Sequence, residues 1–150
     1  MLILAVVFTI NSCKQAPKKV VSKKDSLAKE WGKTIQGNFS TQSQTVFDST
    51  KITAFISRYP DFKNYEPDLR NFYLKRKFAY AWFEKDTLIE QAGNLSNRII
   101  NLQNEGVYKP APYQKQLDSL LNTLTTGKKQ VDVNLELMLT AEYFVFSKLA

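Results

Sequence analysis

The segment 131–150, VDVNLELMLTAEYFVFSKLA, is apolar on nearly every side when it is drawn as a helix. One line of polar residues runs along it at helical spacing: Glu136, Thr140, Tyr143 and Ser147. A helix with so narrow a polar face is usually buried on several sides, so we expect other elements to surround it. A membrane span is not expected, because Glu136, Glu142 and Lys148 would each be costly at membrane depth.

Sequence patterns before this segment predict helices that can surround it. Ser49 can cap a short amphipathic helix that Pro60 ends, and Pro67 can occupy the first turn of a second helix. In the stretch FAYAWF (78–83), aromatic residues then alternate with alanines, which is the period of a strand. The stretch is too short to build a sheet alone.

Two clearer amphipathic helices follow. Their apolar stripes run through residues 88–102 and 113–124, Gly106 is placed to end the first, and Pro112 can begin the second. With so short a connection they should pack as an antiparallel pair. The sequence thus predicts a mainly all-α fold, a small bundle of about four to five helices that follows a signal peptide and a flexible linker.

The N-terminus combines a short apolar run with the only cysteine of the chain. The run in MLILAVVFTI has about nine residues, far fewer than the roughly 20 that span a bilayer, so it indicates an export signal. The residues before Cys13 resemble the lipobox of bacterial lipoproteins, where the signal is cut before the cysteine and the thiol carries diacylglycerol. The alternative is a cysteine buried behind a short strand.

We therefore expect residues 1–12 to be a lipoprotein signal peptide and Cys13 to be the lipid attachment site. Such a protein would lie in the cell envelope, lipid-anchored on the periplasmic side of a bacterial membrane. Residues 13–47 are basic at first and then rich in Ser, Thr and Gln, which predicts a linker. The helical domain is expected at residues 48–150, and its end within a helix predicts that it is truncated at the C-terminal side.

Three stretches carry a resemblance to a known family: FYLKRKFAYAWF, NEGVYKPAPYQKQLDSL and DVNLELMLTAEYFVFSKLA. Together they resemble the N-terminal scaffold domain of the large murein L,D-transpeptidases, over residues 66–150. The matching positions are Phe72, Tyr73, Arg76, Trp82, Gly106, Pro110, Tyr113, Leu139 and Thr140.

The resemblance implies a scaffold portion of an exported L,D-transpeptidase-like protein that takes part in peptidoglycan cross-linking and cell-wall remodelling. Its partners would be the membrane, through lipidated Cys13, a transpeptidase catalytic domain and peptidoglycan. The final helix would then be the joint with that domain, with Glu142, Phe144 and Phe146 as the domain-packing surface.

The residues of this sequence give little support for a catalytic function. The family's catalytic domain uses a cysteine nucleophile with a histidine partner, whereas this sequence has no histidine and its single cysteine lies in the leader. No catalytic residue, cofactor or metal is expected, and whether the parent protein is an enzyme stays open. Glu142 is expected either to pair with Arg98 or Arg76 or to project towards a neighbouring domain.

A further hypothesis is that the chain binds nucleic acid. It is based on the formal charge of +7 and on the basic and aromatic stretch RNFYLKRKFAYAWF. An export signal argues against it, so we expect these aromatic residues to form core or to contact peptide or glycan. A second hypothesis remains: a complete small helical lipoprotein that binds another envelope protein or peptidoglycan. Such a protein would hide its last helix in its own bundle, whereas a scaffold fragment would expose an apolar patch.

Overall fold

The structure is a computed structural model that describes residues 39–41, 43–104, 109–126 and 131–147. These residues form five α-helices, one 3-10 helix and one two-stranded hairpin. The elements in chain order are α1 (Thr50–Arg58), the 3-10 helix (Pro60–Tyr65), α2 (Glu66–Lys75), β1 (Phe83–Glu84), β2 (Thr87–Leu88), α3 (Glu90–Ile100), α4 (Gln114–Thr126) and α5 (Val133–Ser147). The predicted mainly all-α class is confirmed.

Helix α5 is the centre of this bundle. It contacts α1, α2, α3, α4 and the 3-10 helix. Four apolar side chains in its first half are buried: Leu135, Leu137, Met138 and Leu139. The expectation that other elements surround the apolar final segment is therefore confirmed.

The start of α1 differs in detail from the sequence-based expectation. Ser49 stands at the N-cap position, but its side chain makes no capping hydrogen bond. Instead, the backbone N–H of Thr50 donates to Asp48 Oδ1 at 2.7 Å, so Asp48 satisfies a free donor of the first turn. Pro60 ends α1 and begins the 3-10 helix, which the sequence did not predict, and Pro67 lies in the first turn of α2 as expected.

A sharp turn after α2 directs the chain into the interior. Lys77 and Phe78 have φ angles of 54° and 60°, in the left-handed region that non-glycine residues rarely adopt. The stretch that follows was predicted as an alternating strand. In the structure Tyr80, Ala81, Trp82 and Phe83 are all buried, and pairing is limited to the β1–β2 hairpin and one bridge from Ala79 to Val46.

Residues 39–41 and 43–47, which we call the strap, lie against this buried stretch. The N–H of Ser40 donates to the carbonyl of Ala81 at 2.7 Å, that of Tyr80 donates to Thr45 at 3.0 Å, and that of Phe47 donates to Phe78 at 3.2 Å. The polar composition of residues 13–47 predicts that the strap is part of a linker. The structure attaches it to the domain, because both strap phenylalanines pack against the core.

The remaining helices begin and end close to their predicted limits. Leu88 belongs to the hairpin, α3 starts at Glu90, and α4 starts after Tyr113 rather than at Pro112. Gly106, the signal peptide, Cys13 and the linker before the strap lie outside the described residues. Among the helices that the structure describes, none is long and apolar enough to cross a membrane.

Candidate functional site

A groove of about 510 Å³ lies between the strap, α2 and α5. This volume is in the range of small-ligand sites in proteins. Its lining, which we call the groove residues, consists of Phe39, Asp68, Asn71, Phe72, Lys75, Arg76, Tyr143 and Phe144. The walls are therefore mostly aromatic and basic.

Aromatic rings in edge-to-face contact form the apolar wall. The ring centroid of Phe39 lies 5.0 Å from that of Phe72, 5.1 Å from that of Trp82 and 5.4 Å from that of Tyr143. Phe144 extends the cluster, at 5.3 Å from Tyr143 and 6.0 Å from Phe72. Edge-to-face pairs of this kind stabilise a fixed arrangement, so the strap and the two helices present one continuous wall.

Arg76 holds the strap in place from the opposite side. Its Nη2 donates to the carbonyl oxygens of Ser40 and, at 3.1 Å, Tyr80, while Nε donates to Ala79 at 3.4 Å. The guanidinium carbon lies 5.5 Å from the ring centroid of Phe72. A positive charge is thus fixed at the edge of the groove, because three carbonyl oxygens and an aromatic ring orient it.

In the interior of the domain, Glu136 of α5 accepts three hydrogen bonds. Its Oε1 accepts from the N–H of Ala81 at 2.5 Å and from the Tyr73 hydroxyl at 2.8 Å, and its Oε2 accepts from the N–H of Trp82 at 3.1 Å. The side chain is fully buried. Burial raises the pKa of Glu136 to about 7, although these hydrogen bonds and the charge of Arg76 act in the opposite direction.

Thr140, one turn further along α5, completes what we call the Glu136 network. Its hydroxyl oxygen accepts from Trp82 Nε1 at 2.8 Å and lies 2.5 Å from the Tyr73 hydroxyl. Burial, followed by the nearby Glu136 carboxylate, raises the pKa of Tyr73 well above its usual value. The network joins α5, α2 and the buried stretch after α2 through polar groups that leave no donor or acceptor of these side chains unpaired.

The polar line on the final helix therefore has a different meaning from the predicted one. Glu136 and Thr140 are completely buried rather than part of a solvent-facing stripe, and only Ser147 at the end of the line is exposed. The spacing of Glu136 and Thr140 did signal a shared face. The spacing alone does not predict that the backbone N–H groups of Ala81 and Trp82 donate hydrogen bonds to Glu136 on that face.

Glu142 lies on α5 without any such partners. It is fully buried, and neither carboxylate oxygen has a hydrogen-bond partner. Burial raises its pKa to about 9, so the side chain is protonated and neutral near pH 7. The expected pairing with Arg98 or Arg76 is not present, since neither arginine reaches this carboxyl group.

The predicted domain-packing surface is not assembled as a surface. Glu142 and Phe146 are buried within the domain, and Phe144 is half-buried in the groove wall. Glu142 and Phe146 stand four residues apart on one face of α5, whereas Phe144, two residues from each, lies on a different side of the helix. Of the three, Phe144 alone contributes to the candidate site. The lipid attachment residue, Cys13, lies outside the described residues.

Two ion pairs share one carboxylate at the start of α2. Glu66 pairs with Lys63 at 2.6 Å and with Arg70 at 2.7 Å on the surface. In the part of the chain that the structure describes, no group of three or more His, Cys, Asp or Glu side chains is placed to hold a metal ion.

Comparison with known proteins gives one match. A family model described as a scaffold domain matches residues 67–149, which is more than half of the chain. The match spans α2 to α5 and so includes the Glu136 network and every groove residue except Phe39. No curated protein and no solved structure matches.

Proposed function

Because this chain belongs to the scaffold-domain family, we propose that it is the non-catalytic scaffold portion of an exported L,D-transpeptidase-like protein. Its role would be in peptidoglycan cross-linking and cell-wall remodelling. The observation that carries the proposal is the family match at residues 67–149. The resemblance of residues 66–150 to the scaffold domain of the murein L,D-transpeptidases supplies the enzyme class.

The chemistry of the family assigns the reaction to another domain. Transfer of a stem peptide there uses a cysteine thiolate with a histidine partner, and these 150 residues contain no histidine. A separate catalytic domain would make the acyl-enzyme bond. The scaffold domain of this chain would supply a fixed support for that catalytic domain. The Glu136 network and the anchored strap suit this role because they hold three distant segments together.

We further propose that residues 1–12 direct export and that lipid on Cys13 holds the protein on the periplasmic side of a membrane. The basic residues after Cys13 are compatible with anionic headgroups. Cells fed radiolabelled palmitate are expected to label the wild-type protein and not the Cys13→Ser variant. Equal labelling of both would contradict lipidation at this residue.

One observation favours a second candidate, the stand-alone lipoprotein that binds another envelope protein or peptidoglycan. Helix α5 is enclosed by its own bundle, and Val46 and Leu74 are the large hydrophobic residues that are exposed among those described. This matches a self-contained domain better than a domain with a bare helical joint. A scaffold domain can also be self-contained. The two candidates are therefore separated by the effect that deletion of the gene has on the cell wall.

The deciding experiment measures the cell wall. Codons 39–147 are deleted in frame from the chromosomal gene, and muropeptides are quantified by mass spectrometry beside the whole-gene deletion and a complemented strain. The proposal predicts that cross-links made by L,D-transpeptidation fall to the level of the whole-gene deletion and that complementation restores them. An unchanged muropeptide profile in both deletions would contradict the proposal and favour the stand-alone lipoprotein.

A further inference from the structure

We propose that the groove binds the segment of this chain that precedes the strap, residues 26–36, with the indole ring of Trp31 seated on the aromatic wall. The proposal is supported by the partial exposure of that wall, by the point at which the strap reaches it and by the apolar residues of the segment. It goes beyond the proposed function, because docking within one chain does not depend on what the domain supports.

The groove presents an apolar surface that the described residues leave partly uncovered. Phe39, Phe72, Tyr143 and Phe144 are all half-buried, although each also contacts other rings. Single exposed hydrophobic side chains are ordinary on a protein surface, whereas a contiguous set is typical of a binding surface. We therefore expect a further apolar group to cover this wall.

The occupant does not need a charged group of the groove. Arg76 is already bonded to three carbonyl oxygens, and Asp68 also has an interaction. The wall therefore selects its occupant by apolar contact. An aromatic side chain suits it best, because aromatic rings bury large areas and pair with other rings edge to face.

The strap brings the preceding segment to the groove. Phe39 is both the first described residue of the strap and a groove residue. Hydrogen bonds from the N–H of Ser40 and to its carbonyl oxygen hold the chain at this point. Gly37 and Asn38, directly before Phe39, are residues that favour a turn. A reversal there would carry the preceding segment back across the wall.

The segment 26–36, SLAKEWGKTIQ, combines one large ring with two aliphatic side chains. Leu27 stands four positions before Trp31, so the two share a face of a helical turn, and Gly32 can end that turn. Ile35 follows after the glycine. The segment can therefore present one apolar face with the indole ring at its centre.

Attachment to the same chain favours this segment over other occupants. Trp31 is eight positions from Phe39, a distance that an extended chain spans with about 26 Å. A short tether gives an effective concentration in the millimolar range, which exceeds that of a second copy in a dilute solution. Residues 14–24 have neither an aromatic ring nor an acidic side chain, so they fit an apolar wall with cations at its edge poorly.

Docking would also shorten the tether between the domain and the membrane. Residues 14–38 can extend about 80 Å, whereas residues 14–26 alone can extend about 40 Å. This consequence rests on the proposed lipidation of Cys13, and the docking itself does not.

The first test locates the Trp31 ring by NMR of the isotope-labelled full chain. We expect nuclear Overhauser contacts between the indole protons of Trp31 and the ring protons of Tyr143 and Phe144, and these contacts should persist when the protein is diluted. In Trp31→Ala the contacts are lost and the amide signals of groove residues shift. Lys33→Ala, in the same segment, is the matched control and should leave those signals at their wild-type positions.

Fluorescence gives a second readout. The chain has two tryptophans and Trp82 is fully buried, so acrylamide quenching reports mainly on Trp31. Asn71→Arg places a longer side chain in the groove, and Asn97→Arg, at an exposed position of α3, is the matched control. We expect acrylamide to quench Asn71→Arg at least about 3-fold more efficiently than the wild type and the control, because a millimolar effective concentration keeps most molecules docked while the groove is open.

Four results would overturn the proposal. These are the absence of contacts between Trp31 and the groove rings, contacts that disappear on dilution and so identify a second copy as the occupant, groove signals that are unchanged in Trp31→Ala, and equal quenching of the wild type and a folded Asn71→Arg. Thermal unfolding establishes whether Asn71→Arg is folded. If it is not, Trp31→Ala decides alone, since it changes no residue of the described domain. The muropeptide and palmitate measurements do not depend on these results, so each proposal fails separately.

Discussion

Two buried glutamates on one helix show how differently the same side chain can be accommodated. Glu136 accepts three hydrogen bonds, whereas Glu142 has no partner for either oxygen. Burial raises the pKa of both, to about 7 and about 9. In each case the folded state keeps a proton that the unfolded state releases above about pH 4.5. The contribution of these two side chains to the free energy of unfolding should therefore be largest below about pH 4.5 and fall as the pH rises from there to about 7 for Glu136 and about 9 for Glu142.

Replacing the partnered glutamate should destabilise the domain. In Glu136→Gln one acceptor oxygen becomes an NH₂ donor, which would face a backbone N–H of Ala81 or Trp82. We expect the free energy of unfolding in urea to fall by about 1–3 kcal/mol, the range for a buried hydrogen-bonding group that loses its partner. Glu84→Gln, at an exposed position in β1, is the control. Equal stability of the two variants would contradict the role given to Glu136.

Replacing the unpartnered glutamate should have the opposite effect. Glu142→Met keeps the side-chain length and removes both the proton uptake and the unpaired oxygens. At pH 8 we expect the free energy of unfolding to rise by about 2–4 kcal/mol, because each unit of pKa shift corresponds to about 1.4 kcal/mol. The gain should shrink as the pH falls towards 4.5. Urea unfolding at several pH values measures it, and a loss of stability at pH 8 would refute the assignment.

At the scale of elements, the strap is the clearest difference between expectation and structure. Its composition is typical of a linker, and sequence periodicity gives no strand or helix there. Its order comes instead from contacts with distant residues: the Phe47 ring lies 4.8 Å from that of Tyr73 and 5.6 Å from that of Tyr80. Local pattern cannot reveal such contacts, because they depend on the turn after α2.

Neighbouring strap residues provide a matched pair of variants. Phe47→Ala removes three ring contacts and should lower the free energy of unfolding by about 2 kcal/mol, less than for a fully buried phenylalanine. Val46→Ala, at a side chain that is 61% exposed, should change it by less than about 0.5 kcal/mol. If both changes are equally small, residues 43–47 behave as a linker after all.

For the whole molecule, the sequence predicted helices better than it predicted sites. The class follows from periodic apolar stripes, and the burial of α5 follows from its nearly uniform apolar surface. The groove and the Glu136 network were not predicted, because each combines the region of α2 with α5. Tyr73 and Thr140, for example, are 67 positions apart and meet through their hydroxyl groups. The sequence therefore predicts the individual helices, but it does not predict how they are placed against each other.

Native-state hydrogen exchange of the full chain, followed by mass spectrometry, tests most directly whether α5 is the interior helix of a self-contained scaffold. The account predicts that amides of residues 133–147 exchange last and only through global unfolding, so their protection equals the free energy of unfolding. Exchange of this helix ahead of α1 and α2 would contradict the account. It would show α5 to be a loosely held joint instead of the core around which the other helices pack.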